Sequence, residues 1–288
     1  MWPNVMVVSR FAPSPTGRLH LGHAFSAVCA HDLARAAGGQ FLLRIEDIDG
    51  TRSREAFLAG IDEDLRWLGL AWDGAVLRQS TRMALYAEAL ERLKAMGLAY
   101  PCFCTRAEIA ASASAPHGSE GPVYPGTCRP LSDAERAARM HEPHCWRIDM
   151  AAAVTLTGPL RWHDKPAGWI EADPLAQGDV VLARKETPTS YHLAVTVDDA
   201  AQGVTDVVRG VDLFEATHVH RLLQALLGLP TPLYHHHPLL VGPDGKRLAK
   251  RNGARPLAEL RAEGADPGAL LAALRSGQVP IGAADAEA

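Results

Sequence analysis

The sequence predicts an α/β protein: a doubly wound parallel sheet with helices on both faces and an irregular subdomain inserted into it. Three observations predict this. Strongly apolar strands alternate with amphipathic helices from the N-terminus to about residue 100. The alternation then gives way to a stretch rich in Pro, Gly, Ala and Ser. Helix and strand signals resume near residue 176. The expected organisation is 1–100 as the first half of the sheet domain and 101–175 as the insert. The second half follows at 176–230, then a loop-bearing region at 231–275 and a frayed tail at 276–288.

"NVMVVSRFA" is a continuous apolar run ended by Pro13 and Pro15, the pattern of a buried strand. "HAFSAVCAHDLARAAGG" places Phe25, Val28, Cys29 and Leu33 at helical spacing and stops at Gly38 and Gly39. "QFLLRIED" is a second buried strand. "SREAFLAGIDEDLRWLGL" is an amphipathic helix with Thr51 or Ser53 as its cap, and "TRMALYAEALERLKAMGL" another, with Met83, Tyr86, Leu90 and Leu93 on one face. Beyond the insert come "DVVLARKE" and "SYHLAVTVDDA", a helix at "FEATHVHRLLQALLG", a strand at "PLYHHHPLLVG" and a short helix at "DPGALLAALRSG".

The 288 residues carry a net charge of -4, with 47% hydrophobic and 22% charged residues. That balance is ordinary for a globular enzyme and excludes a uniformly basic nucleic-acid coat, while leaving room for a local basic face. No apolar run reaches the roughly 18 residues of a membrane span. "MWPNVMVVSRF" has no basic residue ahead of its short apolar run, so it does not read as a signal peptide. The expectation is a cytoplasmic monomer with no membrane partner.

"RFAPSPTGRLHLGH", residues 10–23, sits where a strand hands over to a helix. In a doubly wound sheet that junction faces ligands, and phosphates settle at the N-terminus of the following helix. Two prolines stiffen the loop, and Gly17 and Gly22 allow close backbone approach. His20 and His23 are three apart, so both can face one side of the helix start, as a hydrogen-bonding cradle for a phosphoryl group. The spacing is neither that of a Walker loop nor of a dinucleotide fingerprint.

This segment resembles the signature of class I glutamyl-tRNA synthetases, with "HLGH" as the HIGH element. Four further blocks resemble the same family in the same order: "LRIEDID" (43–49), "YHLAVTVDD" (191–199), "GVTDVVRGVDL" (203–213) and "KRLAKRNGA" (246–254). The resemblance implies a Rossmann-like class I catalytic core that joins a glutamate carboxylate to the α-phosphorus of ATP, with Mg2+ accompanying the nucleotide. It implies that His20, Gly22, His23, Arg247 and Lys250 contact ATP, with His20, His23 and Lys250 stabilising the displacement. Gly242, Gly245 and Gly253 would let the KMSKS-like loop move. Two departures stand in that loop: Arg247 replaces a lysine and Ala249 a serine.

Glutamate carries two carboxylates and one ammonium, so a specific pocket needs two cations and one anion. The resemblance supplies them as Arg10 and Arg209 for the carboxylates, in either order, and Glu46 for the ammonium. Tyr191 adds a hydroxyl; Phe11, Ala12, Pro13 and Ser14 form the wall. Asp47 and Asp49 read as turn or cap residues rather than a metal pair.

Of five cysteines, three cluster: Cys102, Cys104 and Cys128. In a reducing compartment that points to metal rather than disulfides. Three thiolates are one short of a closed zinc site, and spacing leaves Tyr124, His117, His144 and Cys145 as the fourth ligand, with His or Cys favoured. The histidine run 235–237 alternates faces on a strand and cannot converge on a metal. The Cys-x-Cys, Tyr-x-x-x-Cys pattern is similar to that of a short branch of the family, the glutamyl-queuosine tRNA(Asp) synthetases, whose tyrosine ligates zinc. That likeness implies one structural Zn2+ on Cys102, Cys104, Tyr124 and Cys128. The chain stops soon after its KMSKS-like loop, so an anticodon-reading helical domain is not expected. Val195 also stands where longer relatives have asparagine. The branch implies tRNA-independent activation of L-glutamate by ATP and its transfer to queuosine at the wobble position of tRNA(Asp). A truncated synthetase charging a tRNA 3′ end, or a non-catalytic RNA-binding paralogue, is the alternative.

Overall fold

Four consecutive buried residues, Val8–Phe11, form the first strand, β1. In this computed structural model residues 6–50, 52–105, 107–109, 123–241 and 255–278 are described. β1 pairs in parallel with β2 (Gln40–Ile45), Val8 opposite Gln40 and Phe11 opposite Leu43, and β2 pairs with the short β3 (Leu77–Arg78). Between them run α1 (Leu21–Ala36), α2 (Glu55–Trp67) and α3 (Met83–Ala95), the last following β3.

The antiparallel strands β4 (Ala99–Cys102), β5 (Cys145–Ile148) and β8 (Val181–Ala183) make a separate small sheet. β6 (Arg161–Asp164) and β7 (Gly168–Glu171) form a hairpin that joins β10 (Leu233–His237), and β10 pairs in parallel with β9 (Asp206–Gly210). β9 abuts β1: the Thr205 N–H donates to the Val8 carbonyl at 3.0 Å, and the Val8 N–H to Thr205 Oγ1 at 2.8 Å. The chain thus lays β2 and β3 on one side of β1 and β9 and β10 on the other. The point where the order reverses, between β1 and β9, is where doubly wound sheets bind ligands.

Alternation along β2 decides what faces where. Phe41, Leu43 and Ile45 point into an apolar layer with α1, α2 and leucines 257, 260, 270 and 274 of the two C-terminal helices. Burying each such side chain contributes about 1.5–3 kcal/mol. The opposite parity carries Arg44 and then Glu46 to the other face of the sheet. A second apolar layer packs α3 with the helices Met150–Thr157, Tyr191–Ala201 and Ala216–Leu227.

Several expectations need correcting. Of the two caps expected for α2, Thr51 lies outside the described residues and Ser53 is not the cap. Arg54 occupies the N-cap without a side-chain bond, and Ser53 Oγ is buried without a partner. The reason is the preceding turn, in which the Asp49 carbonyl accepts from both Arg52 and Ser53 N–H and delays the helix. The segment 101–175 is not one insert: β6 and β7 lie in the sheet with β10, and β8 pairs with β5 beyond residue 175. The short helix Leu257–Ala262 carries no expectation from the sequence. The loop with Gly242, Gly245, Arg247, Ala249, Lys250 and Gly253, the tail from residue 279, and His117 lie outside the described residues. No described helix is long and apolar enough to cross a membrane.

Candidate active site

A cavity of about 450 Å³ opens at the switch point. Ten of the residues expected from the sequence line it: Arg10, Phe11, Ala12, Pro13, Ser14, His20, His23, Glu46, Tyr191 and Arg209. They come from the end of β1, the start of α1, the end of β2, the helix Tyr191–Ala201 and β9. Thr16, Gly17, Ser26, Val195, Val208 and Leu213 complete the wall. Gly22 does not line it, because its N–H is turned to His20 Nδ1 at 3.1 Å.

The paired histidines have a local cause. His20 is the N-cap of α1, with extended backbone; its ring accepts from the helix backbone, and its own N–H donates to His23 Nδ1 at 3.2 Å. This is a reciprocal capping box built from imidazoles. With both Nδ1 atoms accepting backbone N–H groups, the neutral rings carry their protons on Nε2. The ring centroids lie 3.8 Å apart at the positive end of the helix dipole. Two imidazole N–H groups at the positive end of a helix suit phosphate oxygens.

Arg10 is 4% exposed and forks onto Asp199, Nε to Oδ1 at 2.9 Å and Nη2 to Oδ2 at 3.2 Å. Asp199 also accepts from Arg44 Nη1 at 2.7 Å, and Arg44 Nη2 reaches Glu46 Oε1 at 3.2 Å. Burial opposes ionisation of Asp199, but the two guanidiniums hold its carboxyl down to about 2. Burial outweighs Arg44 and Arg10 at Glu46 and raises that carboxyl above its ordinary value.

Arg209 is held differently. Its Nε donates to His236 Nε2 at 3.1 Å, Nη2 to Thr217 Oγ1 at 2.6 Å, and Nη1 to the Tyr191 hydroxyl at 3.2 Å and to His220 Nδ1 at 3.3 Å. Parallel pairing sets His236 directly beside Arg209. His236 Nδ1 in turn meets Asp164 at 2.9 Å, and His220 Nε2 meets His192 Nδ1 at 3.2 Å. Burial, then Arg209, lowers His236 and His220 below the ordinary imidazole value; the same causes bring His192 to about 4. The cradle of Arg209 is therefore neutral at neutral pH.

Sequence reasoning missed Arg44, Asp199, His220 and Asp164. Asp199 was within reach: 191, 195, 199 and 202 share one helix face. The histidine run divides as alternation requires. His236 faces Arg209, while His235 meets Asp206 at 2.7 Å and His237 meets Ser26 at 2.9 Å. Asp47 accepts from Ser80 N–H at 2.8 Å and from Arg78 at 3.0 Å, and Asp49 from Arg52 at 2.7 Å, which are loop-fixing contacts.

At the end of β4, the sulfurs of Cys102, Cys104 and Cys128 lie within 4.8 Å of one another. The Tyr124 hydroxyl is 3.7 Å from Cys104 Sγ and accepts the Cys128 N–H at 2.8 Å. Sulfur edges of roughly 3.8 Å follow from 2.3 Å bonds in a tetrahedral zinc site. The Cys104–Cys128 separation of 3.5 Å fits such a donor set. Cys145 faces Cys102 across the β4–β5 pair but is not one of the three convergent sulfurs. His144 is turned to the Glu142 carbonyl at 2.9 Å.

The sequence pattern described as "tRNA synthetases class I (E and Q), catalytic domain" matches residues 6–285. A Rhodobacter capsulatus protein named glutamyl-Q tRNA(Asp) synthetase is 56% identical over 91% of this chain and 97% of its own length. One of the same name from Symbiobacterium thermophilum is 48% identical over 91% and 83%. Among solved structures, a glutamate tRNA ligase from Elizabethkingia meningosepticum in complex with its amino acid superposes with a TM-score of 0.79 at 27% identity, over 94% of this chain. This chain spans 60% of that enzyme. The blocks that frame the cavity, the whole-length match and the shared core place the chain among the class I tRNA synthetases of the glutamate and glutamine type: it belongs to the glutamyl-Q tRNA(Asp) synthetase family and is a ligase.

Proposed function

We propose that the protein activates L-glutamate with ATP without requiring tRNA, and transfers the glutamyl group to queuosine at the wobble position of tRNA(Asp). The observation that carries this reading is the convergence of Arg10, Glu46, Tyr191 and Arg209 in one cavity with His20 and His23. The names of the relatives at 56% and 48% identity support the acceptor.

Glutamate is seated with its ammonium toward Glu46 and its carboxylates toward the two arginines. Its α-carboxylate oxygen attacks the α-phosphorus of ATP; the new O–P bond forms as the bond to pyrophosphate breaks, giving glutamyl-adenylate. Charge gathers on the phosphoryl oxygens, and the Nε2–H groups of His20 and His23 stabilise it; a Mg2+ bound with the nucleotide would supply further countercharge. Arg247 and Lys250 contribute further cations from the loop outside the described residues. A queuosine hydroxyl then attacks the glutamyl carbonyl and AMP leaves. Cys102, Cys104, Tyr124 and Cys128 would hold a structural Zn2+, which would fix the stretch around Tyr124 and Cys128 to the end of β4.

The test incubates the protein with ATP, labelled glutamate and tRNA(Asp) with or without queuosine. Label is expected only on the queuosine-containing tRNA. Label on both, or on the 3′ end of tRNA(Glu), overturns the acceptor assignment. Absence of glutamate-dependent pyrophosphate exchange supports the non-catalytic paralogue.

A further inference from the structure

Arg44 does not line the cavity, yet it is completely buried and holds the group that does. Its Nη1 donates to Asp199 Oδ1 at 2.7 Å and to Gln202 Oε1 at 3.0 Å; its Nη2 donates to Glu46 Oε1 at 3.2 Å. Asp199, likewise outside the lining, grips Arg10 through both carboxylate oxygens. A chain of alternating charge, Glu46–Arg44–Asp199–Arg10, therefore runs behind the cavity. It crosses β2, the helix Tyr191–Ala201 and β1. Only its two ends face the ligand.

Four charges buried together are tolerated only when each is paired, so none can move without its neighbour. Arg44 is the sole described cation on Glu46 within salt-bridge distance, and Asp199 the sole described anion on Arg10. Asp164 reaches Arg209 only through the His236 ring and does not interrupt the chain. The orientation of the ammonium-facing end and of the carboxylate-facing end is thus fixed from one shared pair.

We propose that Arg44 and Asp199 are positioning residues that set the net charge the cavity accepts. Arg44 keeps Glu46 turned to an ammonium, Asp199 keeps Arg10 turned to a carboxylate, and their balance favours an amino diacid of one net negative charge. The inference rests on the reading above that glutamate is the occupant. A staple that merely held the fold would weaken every ligand alike. A charge-setting pair shifts ligand preference in opposite directions when its cation or its anion is lost.

The experiment is calorimetric titration of the whole chain with glutamate, glutamine (net neutral) and glutarate (a dianion). The variants are Arg44→Met, Arg44→Lys and Asp199→Asn, each checked by its unfolding midpoint. Wild type binds glutamate in preference to both analogues. Arg44→Met weakens glutamate on the order of 100-fold, the scale of breaking a buried pair. It weakens glutamine less, so the glutamate-to-glutamine ratio falls by about tenfold. Asp199→Asn moves the glutarate-to-glutamate ratio up by about tenfold. Arg44→Lys keeps the charge and, if the methionine variant does not fold, carries the test with Asp199→Asn: its glutamate-to-glutamine ratio stays within about threefold of wild type. Equal weakening of all three ligands, shifts of the same sign in both variants, or a lysine ratio that collapses overturns the inference. Failure of the functional reading shows separately, in wild type alone, as no preference for glutamate, and removes this inference with it.

Discussion

Arg10 and Arg209 face the same cavity and are held by opposite means. Arg10 is locked to a carboxylate that is itself shared with Arg44. Arg209 touches no anion among the described residues; two imidazoles, a threonine and a tyrosine accept its four hydrogen bonds. Both side chains are about equally buried, 4% and 5% exposed. The difference therefore lies in charge rather than in solvent access. Arg10 is fixed and largely neutralised before a ligand arrives. Arg209 is fixed but keeps its charge, in a low-dielectric setting where an incoming carboxylate interacts strongly. One arm supplies geometry, the other attraction.

The sharpest way to break the comparison is to remove the uncompensated cation. Arg209→Gln is expected to lower kcat/KM for glutamate in pyrophosphate exchange by roughly 10³-fold, because a charge-assisted pair with substrate is lost and four buried acceptors are left without their donor. The KM for ATP should change little. An equal rise in both KM values would mean that Arg209 serves the fold and not the amino acid.

Asp199→Asn comes next, and acts first on stability. It leaves Arg10 and Arg44 buried against a neutral amide, which costs about 3–5 kcal/mol in urea unfolding. Asp199 also sets an acid limit. Its carboxyl is held at about 2 against an ordinary 3.8, so its contribution is complete above 3.8 and is lost as pH falls through about 2. Unfolding midpoints followed from pH 5 to 2 should show that loss in wild type and a flatter curve in the variant.

The neutral arm fails at a milder pH. His192 is held at about 4 against an ordinary 6.5, so the unfolded chain binds more protons than the folded one between those values. Stability is expected to be full above 6.5 and to fall as pH drops toward 4. His220 and His236 are lowered by the same causes and contribute in the same window, so His192→Gln should reduce the slope of that region without abolishing it, while leaving the steeper loss near pH 2 in place. If the variant flattens both regions alike, the two arms are one network and the contrast between them is wrong.

What was legible in the sequence follows the same division. Arg10, Glu46, Tyr191 and Arg209 stand in recognisable blocks, and periodicity placed β1, β2 and α1 to α3 within a few residues. All four line the cavity. Arg44 lies in the same block as Glu46 and Asp199 in the same block as Tyr191, but nothing in one dimension says that a strand arginine donates a hydrogen bond to a helix carboxylate 155 residues away. Likewise alternation told that His236 faces away from His235 and His237. It could not tell that β9 would bring Arg209 alongside, since strand order is a property of the crossover. β6 and β7 were absorbed into an expected insert for the same reason: a short hairpin at the edge of a sheet looks, in sequence, like any irregular loop.

The finest cut concerns His236, where two explanations of the neutral arm differ. If the ring matters because it is an uncharged acceptor for Arg209 and a donor to Asp164, another uncharged side chain with one of each can replace it. Glutamine offers both from a single amide. His236→Gln is then expected to change the KM for glutamate by less than about tenfold, the scale of one or two altered neutral hydrogen bonds. His236→Leu, which leaves Asp164 and Arg209 without their intermediary, should cost considerably more. If instead the ring's packing against Trp162 and Phe214 is what fixes Arg209, with centroids at 5.8 Å and 5.0 Å, glutamine fails as badly as leucine. Measuring both variants with glutamate as the varied substrate separates hydrogen bonding from shape at one of the four contacts that position the second arginine without a counter-ion among the described residues.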